Sequence, residues 1–132
     1  MEPPRLVSVA TSKHAMTKIL VADDSETITT LLTTALESDG YEVSVATDGN
    51  QAYQLGLESE HDLAILDQLM PGLLGVEVIE RWRQAGITTP AIILTGVDDE
   101  RSAVESLDRG AVDYVRKPFR LPELLARIRQ RI

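Results

Sequence analysis

The sequence contains no cysteine, which removes disulfides, zinc knuckles, iron–sulfur clusters and thiol nucleophiles together and fits a reducing compartment. Positive charge is also scarce. Thirteen Lys and Arg stand against 21 Asp and Glu, a formal net charge of −8. That balance argues against a surface that tracks nucleic-acid phosphates, which depends on Lys and Arg to neutralise them. No apolar run approaches the roughly 20 residues needed to cross a bilayer, and the stretch Arg5–Ala10 is too short for a signal-peptide core. Internal repeats and low-complexity tracts are lacking as well. What is present is one domain's worth of chain. A length of 132 residues lets roughly 65–70% of the unfolded surface be buried without covalent staples. The expectation is a single cytoplasmic domain with no membrane association.

Residues 1–17 carry Pro3-Pro4 and no periodicity, and are read as a loose N-terminal extension, with His14 solvated. From residue 18 to 132 the chain alternates short apolar runs with longer helical patterns, the signature of βαβ units and a parallel sheet. The strands are predicted at Ile19–Ala22, Glu42–Ala46, Leu63–Leu66, Ala91–Leu94 and Val112–Val115. The first, third and fourth are continuous apolar runs, as expected of strands covered on both faces. The second alternates polar and apolar residues and reads as an edge strand.

The intervening helices have legible starts and stops. Ser25 can cap a first helix with Ile28, Leu31, Leu32, Ala35 and Leu36 on its inner face, ended by Asp39-Gly40. Asp48 can cap a second, holding Ala52, Tyr53 and Leu55. Gly56 weakens it by about 1 kcal/mol against alanine, so a short or frayed element is expected. A third follows Pro71-Gly72, carries Val76, Ile79, Glu80 and Trp82, and stops near Ala85-Gly86. The fourth starts around Asp98 or Asp99 and runs to Arg109-Gly110. Pro122 opens the fifth, with Leu124, Leu125 and Ile128 inward and Arg127, Arg129 and Arg131 near the negative end of its dipole. Trp82, Tyr41, Tyr53 and Phe119 read as packing residues and His61 as a surface residue.

In an open parallel sheet the ligand crevice lies outside the carboxyl ends of the strands. Those ends deliver Asp23-Asp24, Thr47-Asp48, Asp67, Thr95 and Arg116-Lys117-Pro118. Convergent carboxylates repel one another unless a cation joins them, and hard oxygen ligands suit Mg²⁺, which keeps room for phosphate oxygens. Asp can act as a covalent nucleophile toward phosphorus, with an ammonium and a metal stabilising the transferring group. Lys117 fits the ammonium and Thr95 a supporting hydroxyl.

Four pieces then stand in order: Val21-Ala22-Asp23-Asp24-Ser25; Leu66-Asp67 with Met70-Pro71 and Gly75; Leu94-Thr95-Gly96; and Gly110 through Phe119 around Lys117-Pro118. From Lys18 onward the chain resembles the receiver domain of two-component response regulators. The resemblance implies a three-layer, doubly wound α/β fold of flavodoxin type, with five parallel strands ordered 2-1-3-4-5. It implies that Asp67 is the phosphoacceptor and that Mg²⁺ is held by Asp23, Asp24, Asp67 and the backbone carbonyl of Leu69. Lys117 and Thr95 would bind the phosphoryl group, Thr95 and Tyr114 would form the switch, and Lys117-Pro118 would be cis. The implied partners are a sensor histidine kinase or phosphotransfer protein, and an output domain or partner that the switch controls.

Three features depart from the family pattern. Leu69 and Val97 are apolar where side chains border the path of the attacking water, so slow self-dephosphorylation is expected. Leu74 replaces the Asp that many members carry before the glycine. Of the ion pairs by which some family members dimerise through the fourth helix, fifth strand and fifth helix, Asp113, Glu123 and Arg127 are present, whereas Ala103 and Val112 replace two charged partners. Only Asp113–Arg127 is complete, a pair worth about 0–1 kcal/mol when exposed. The sequence ends at Ile132 as the fifth helix ends, which fits either a stand-alone receiver or one cut from an output domain, and the terminal arginines favour the latter. Other classes fit less well. An aspartyl phosphatase needs a second acid at position 69, a flavin carrier needs a phosphate loop where Asp23-Asp24 stands, and a structural adaptor would leave the acidic rim unused.

Overall fold

Alternate residues of a strand face opposite sides of a sheet, and here both sides are apolar along the inner strands. The computed structural model, which describes residues 17–96 and 100–132, contains five strands: β1 (Lys18–Ala22), β2 (Glu42–Ala46), β3 (Leu63–Asp67), β4 (Ala91–Thr95) and β5 (Asp113–Arg116). Ile19, Val21, Leu63, Ile65, Ile92 and Leu94 enter one core, and Leu20, Ala22, Ala64, Leu66, Ala91 and Ile93 the other. All pairings are parallel and the order is β2-β1-β3-β4-β5, the order the family resemblance implies. Every residue of β3 and β4 is buried, while β2 lies at an edge, as its alternation predicts, although the apolar Val45 is exposed along with Glu42.

The helices are α1 (Glu26–Ser38), α2 (Gly49–Glu58), α3 (Gly75–Gln84), α4 (Glu100–Asp108) and α5 (Leu121–Gln130). Leu32 and Leu36 of α1 and Leu124 and Ile128 of α5 fill the first core. Ala52 of α2 and Val76, Val78, Ile79 and Trp82 of α3 fill the second. The result is the three-layer, doubly wound architecture. Ser25 Oγ accepts from the Ile28 N–H at 3.3 Å and Asp48 Oδ1 from the Gln51 N–H at 2.7 Å, so both expected caps form.

Several details differ from the sequence-based expectation. The third and fourth strands run one residue further, because Asp67 pairs with Leu94 and Thr95 with Arg116 in the ladder. The fifth starts at Asp113 instead of Val112, although the Val112 N–H already donates to the Ala91 carbonyl at 2.9 Å. Leu31 is exposed, since the inner stripe of α1 is narrow and is filled by Leu32 and Leu36. Helix α2 is continuous through Gly56. A Cβ there would lie 2.3 Å from Nε1 of Trp82, so the glycine is what lets the indole lie against the helix. The indole N–H donates to the Tyr53 carbonyl at 3.2 Å. His61 is buried and not on the surface: its Nε2 lies 3.1 Å from Ser44 Oγ, and burial lowers its pKa from the ordinary histidine value. Residues 1–16 and the expected start of the fourth helix at Asp98 or Asp99 lie outside the described residues. The carbonyl of Thr17 accepts from the Glu42 N–H at 2.9 Å.

Candidate functional site

The carboxyl ends of β1, β3, β4 and β5 bring the predicted residues to one rim. Asp23 follows β1 directly, and its N–H donates to the Ala46 carbonyl at 3.1 Å. Its side chain is buried and doubly held. Oδ1 accepts from the Ser25 N–H at 2.9 Å, so the turn into α1 orients the carboxylate, and Oδ2 meets Lys117 Nζ at 2.9 Å. Asp67, the last residue of β3, is buried with Oδ1 3.3 Å from the same ammonium. Asp24, one residue beyond Asp23, is exposed. Asp23, Asp24 and Asp67 each offer an oxygen within 4.8 Å of the others.

Lys117 reaches this position because its N–H donates to the Thr95 carbonyl at 2.7 Å, continuing the β4–β5 ladder past Arg116. The Lys117-Pro118 peptide is cis. Thr95 is buried at the end of β4, and Tyr114 is half-buried on β5, packed against the α3 side of the sheet. The side chain of Leu69 is exposed, whereas Met70 and Leu73 of the same loop are buried. Val97 lies outside the described residues.

The electrostatics follow from the count of charges. Three carboxylates around one ammonium leave a formal −3 + 1 = −2. Burial, then the neighbouring Asp23 charge, pushes Asp67 above the usual carboxylate range, and Lys117 with the Leu69 N–H offsets this only in part. Burial works against the Lys117 charge, yet its hydrogen bond to Asp23 and the charges of Asp67 and Asp23 outweigh it and raise its pKa. A small, hard divalent cation fits a cluster with this donor set and this uncompensated charge.

Asp113, Glu123 and Arg127 lie away from the rim and pair within the chain. Arg127 Nη1 donates to Asp113 Oδ1 and Oδ2 at 3.2 and 3.0 Å, and Nη2 stands 3.7 Å from Glu123 Oε1. Beside them a surface cleft of 720 Å³ is lined in part by Ala103, Tyr114, Phe119, Arg120 and Arg127. Two residues outside the predicted set hold the loop that follows Asp67. Gln68 and Glu77 bind the start of α3 with their side chains. Glu77 stands three residues after the helix cap, a spacing the sequence displays; Gln68 has no such signal.

Residues 19–129 match the profile of the response regulator receiver domain. The chain belongs to that family. Among its relatives, this receiver is 43% identical over 111 residues to an uncharacterized transcriptional regulatory protein, YkoG, of Bacillus subtilis, an alignment covering 84% of the chain and 49% of the relative. It is 43% identical over 112 residues to the alkaline phosphatase synthesis transcriptional regulatory protein PhoP of the same organism, covering 85% and 47%. The receiver thus spans about half the length of these curated relatives. Among solved structures, the receiver domain of the Francisella response regulator 1452 superposes with a TM-score of 0.83 at 36% identity, covering 87% of this receiver and 95% of that chain. The chemotaxis response regulator CheY4 of Vibrio cholerae superposes with a TM-score of 0.83 at 30% identity, covering 89% and 99%.

Proposed function

We propose that this receiver takes a phosphoryl group onto Asp67 from the phosphohistidine of a sensor histidine kinase or phosphotransfer protein, and that the phosphorylated form controls an output domain or partner from the cytoplasm. The observation that carries this reading is the closeness of Asp23, Asp24 and Asp67, with Lys117 bridging the two buried acids. Mg²⁺ would be held by the three carboxylates and the backbone carbonyl of Leu69, and when bound it supplies positive charge against the phosphoryl oxygens.

The residues of the chain do the rest. An oxygen of Asp67 forms the bond to phosphorus as the donor's N–P bond breaks and its imidazole keeps the electron pair. Before transfer Lys117 holds the Asp67 carboxylate; after it the ammonium pairs with a phosphoryl oxygen. The Thr95 hydroxyl binds a second phosphoryl oxygen, and Tyr114 follows that movement as the switch. No other substrate is turned over: the domain promotes only its own phosphorylation and dephosphorylation.

Leu69 has neither proton donor nor acceptor on its exposed side chain and cannot orient a hydrolytic water, so the phosphoryl group is retained for long. A homodimer through α4, β5 and α5 would redirect Arg127 from its own Asp113 and Glu123 to those of a second copy. Incubation with acetyl phosphate and Mg²⁺, read by intact mass, tests the reading. The wild type is expected to gain one phosphoryl group, to lose it slowly once the donor is removed, and to gain none without Mg²⁺ or in Asp67→Asn. A wild type of unchanged mass would overturn it.

A further inference from the structure

The loop from β3 to α3 carries the residues that follow Asp67, and the way α3 begins determines how that loop is held. Helix α3 opens behind Leu74, an N-cap residue with no side-chain oxygen. The first N–H groups of a helix need acceptors from outside its own ladder. Glu77 Oε1 takes the Leu74 N–H at 2.8 Å. The Val76 N–H goes to Oε1 of Gln68, 3.1 Å away and eight residues earlier in the chain.

Gln68 is bonded on both sides. Its N–H donates to the Leu94 carbonyl of β4 at 2.8 Å, and its carbonyl accepts from the Gly75 N–H at 3.0 Å. The residue after Asp67 is therefore tied once to β4 and twice to the first turn of α3. The approach is close, since a Cβ on Gly75 would lie 2.8 Å from the Asp67 carbonyl oxygen and 3.2 Å from Gln68 Cα. Further along, the Pro71 carbonyl accepts from the Gly49 N–H at 2.9 Å. Between these two anchorages lies Leu69.

We infer that Gln68 is a positioning residue for the divalent-cation site: its side-chain bond to the Val76 N–H fixes the segment from Asp67 to Leu69 against the start of α3. This rests on the cation site proposed above. Gln68 supplies the cap acceptor that Leu74 cannot, and does so from the position that also sets where the Asp67 carboxylate and the Leu69 backbone lie. Without that bond the Val76 N–H loses its acceptor and the loop loses one of its two ties to α3.

The test is an NMR-followed titration with Mg²⁺ alone, without a phosphodonor, on wild type, Gln68→Met, and Gln68→Met combined with Leu74→Asp, with thermal stability measured in parallel. Gln68→Met keeps the bulk and removes the acceptor, and Mg²⁺ affinity is expected to fall about tenfold, as for residues that orient metal ligands. Adding Leu74→Asp restores a side-chain cap to α3 and is expected to recover stability but not affinity. Unchanged affinity in Gln68→Met, or affinity recovering together with stability in the double variant, would overturn the role of Gln68. A wild type that does not bind Mg²⁺ would instead overturn the cation site itself.

Discussion

At the carboxyl ends of the strands Asp23 and Asp67 are buried as acids around one ammonium, whereas near the amino ends His61 is buried against the hydroxyl of Ser44. Both regions take an ionisable side chain out of water, the first beside an ammonium and the second beside a hydroxyl. Burial lowers the pKa of His61 and raises that of Asp67, each away from its charge. At the His61 end a backbone hydrogen bond at Ser59 and the charges of Asp62 and Glu42 oppose that tendency without overcoming it. At the rim Lys117 holds charge in place, leaving acids in excess. The difference separates a buried imidazole set against a hydroxyl from a cluster of acids in excess over its one ammonium.

Removing the ammonium should break the contrast most severely. Lys117→Met leaves two buried carboxylates facing each other, and stability at neutral pH should drop by about 2 kcal/mol, toward the low end for buried pairs because the lysine is partly exposed. Urea unfolding at falling pH should show the loss shrinking as Asp67, whose pKa burial raises, takes up a proton.

Asp67→Asn should act in the opposite direction. A carboxyl whose folded pKa lies above its unfolded value of about 3.9 contributes stability below that value and loses it as the pH rises through the folded pKa. At neutral pH the ionised Asp67 therefore works against the fold in the absence of a divalent cation. The substitution should raise stability at pH 7 by about 1 kcal/mol, seen as a Tm higher by a few degrees, and the gain should vanish below the unfolded pKa. Added Mg²⁺ should stabilise the wild type more than the variant.

The smallest effect belongs to His61. Its folded pKa is lowered, so stability is complete above the unfolded value of about 6.5 and declines as the pH falls from there toward the folded pKa. Urea midpoints at about pH 7.5 and about pH 5.5 should show the wild type losing more stability than His61→Gln across that interval. Equal losses would mean that the imidazole is not the group that titrates.

The rim was more legible in the sequence than the amino-terminal end, for a physical reason. Strand ends are set by short local patterns, and in a parallel sheet every strand delivers its last residue to the same side; Asp23, Asp67, Thr95 and Lys117 could thus be gathered from four apolar runs alone. Even there, Asp67 and Thr95 are the last residues of the ladder itself, a boundary that depends on the neighbouring strand. His61 sits outside any strand, and its burial depends on Ser44 of β2, 17 residues earlier. Gly56 looked like a weakness in a helix because its role belongs to Trp82 on another helix. Gln68 was silent because an amide's reach to the Val76 N–H exists only after the loop has closed. Pairings set by the tertiary fold leave no local period to read.

The central claim is that Asp67 itself becomes covalently phosphorylated. Acetyl phosphate and Mg²⁺ followed by borohydride reduction convert an acyl phosphate on Asp to homoserine, which tandem mass spectrometry locates by residue. The account predicts homoserine at position 67 and at no other acid. Homoserine at Asp23 or Asp24, or at no position, would contradict it.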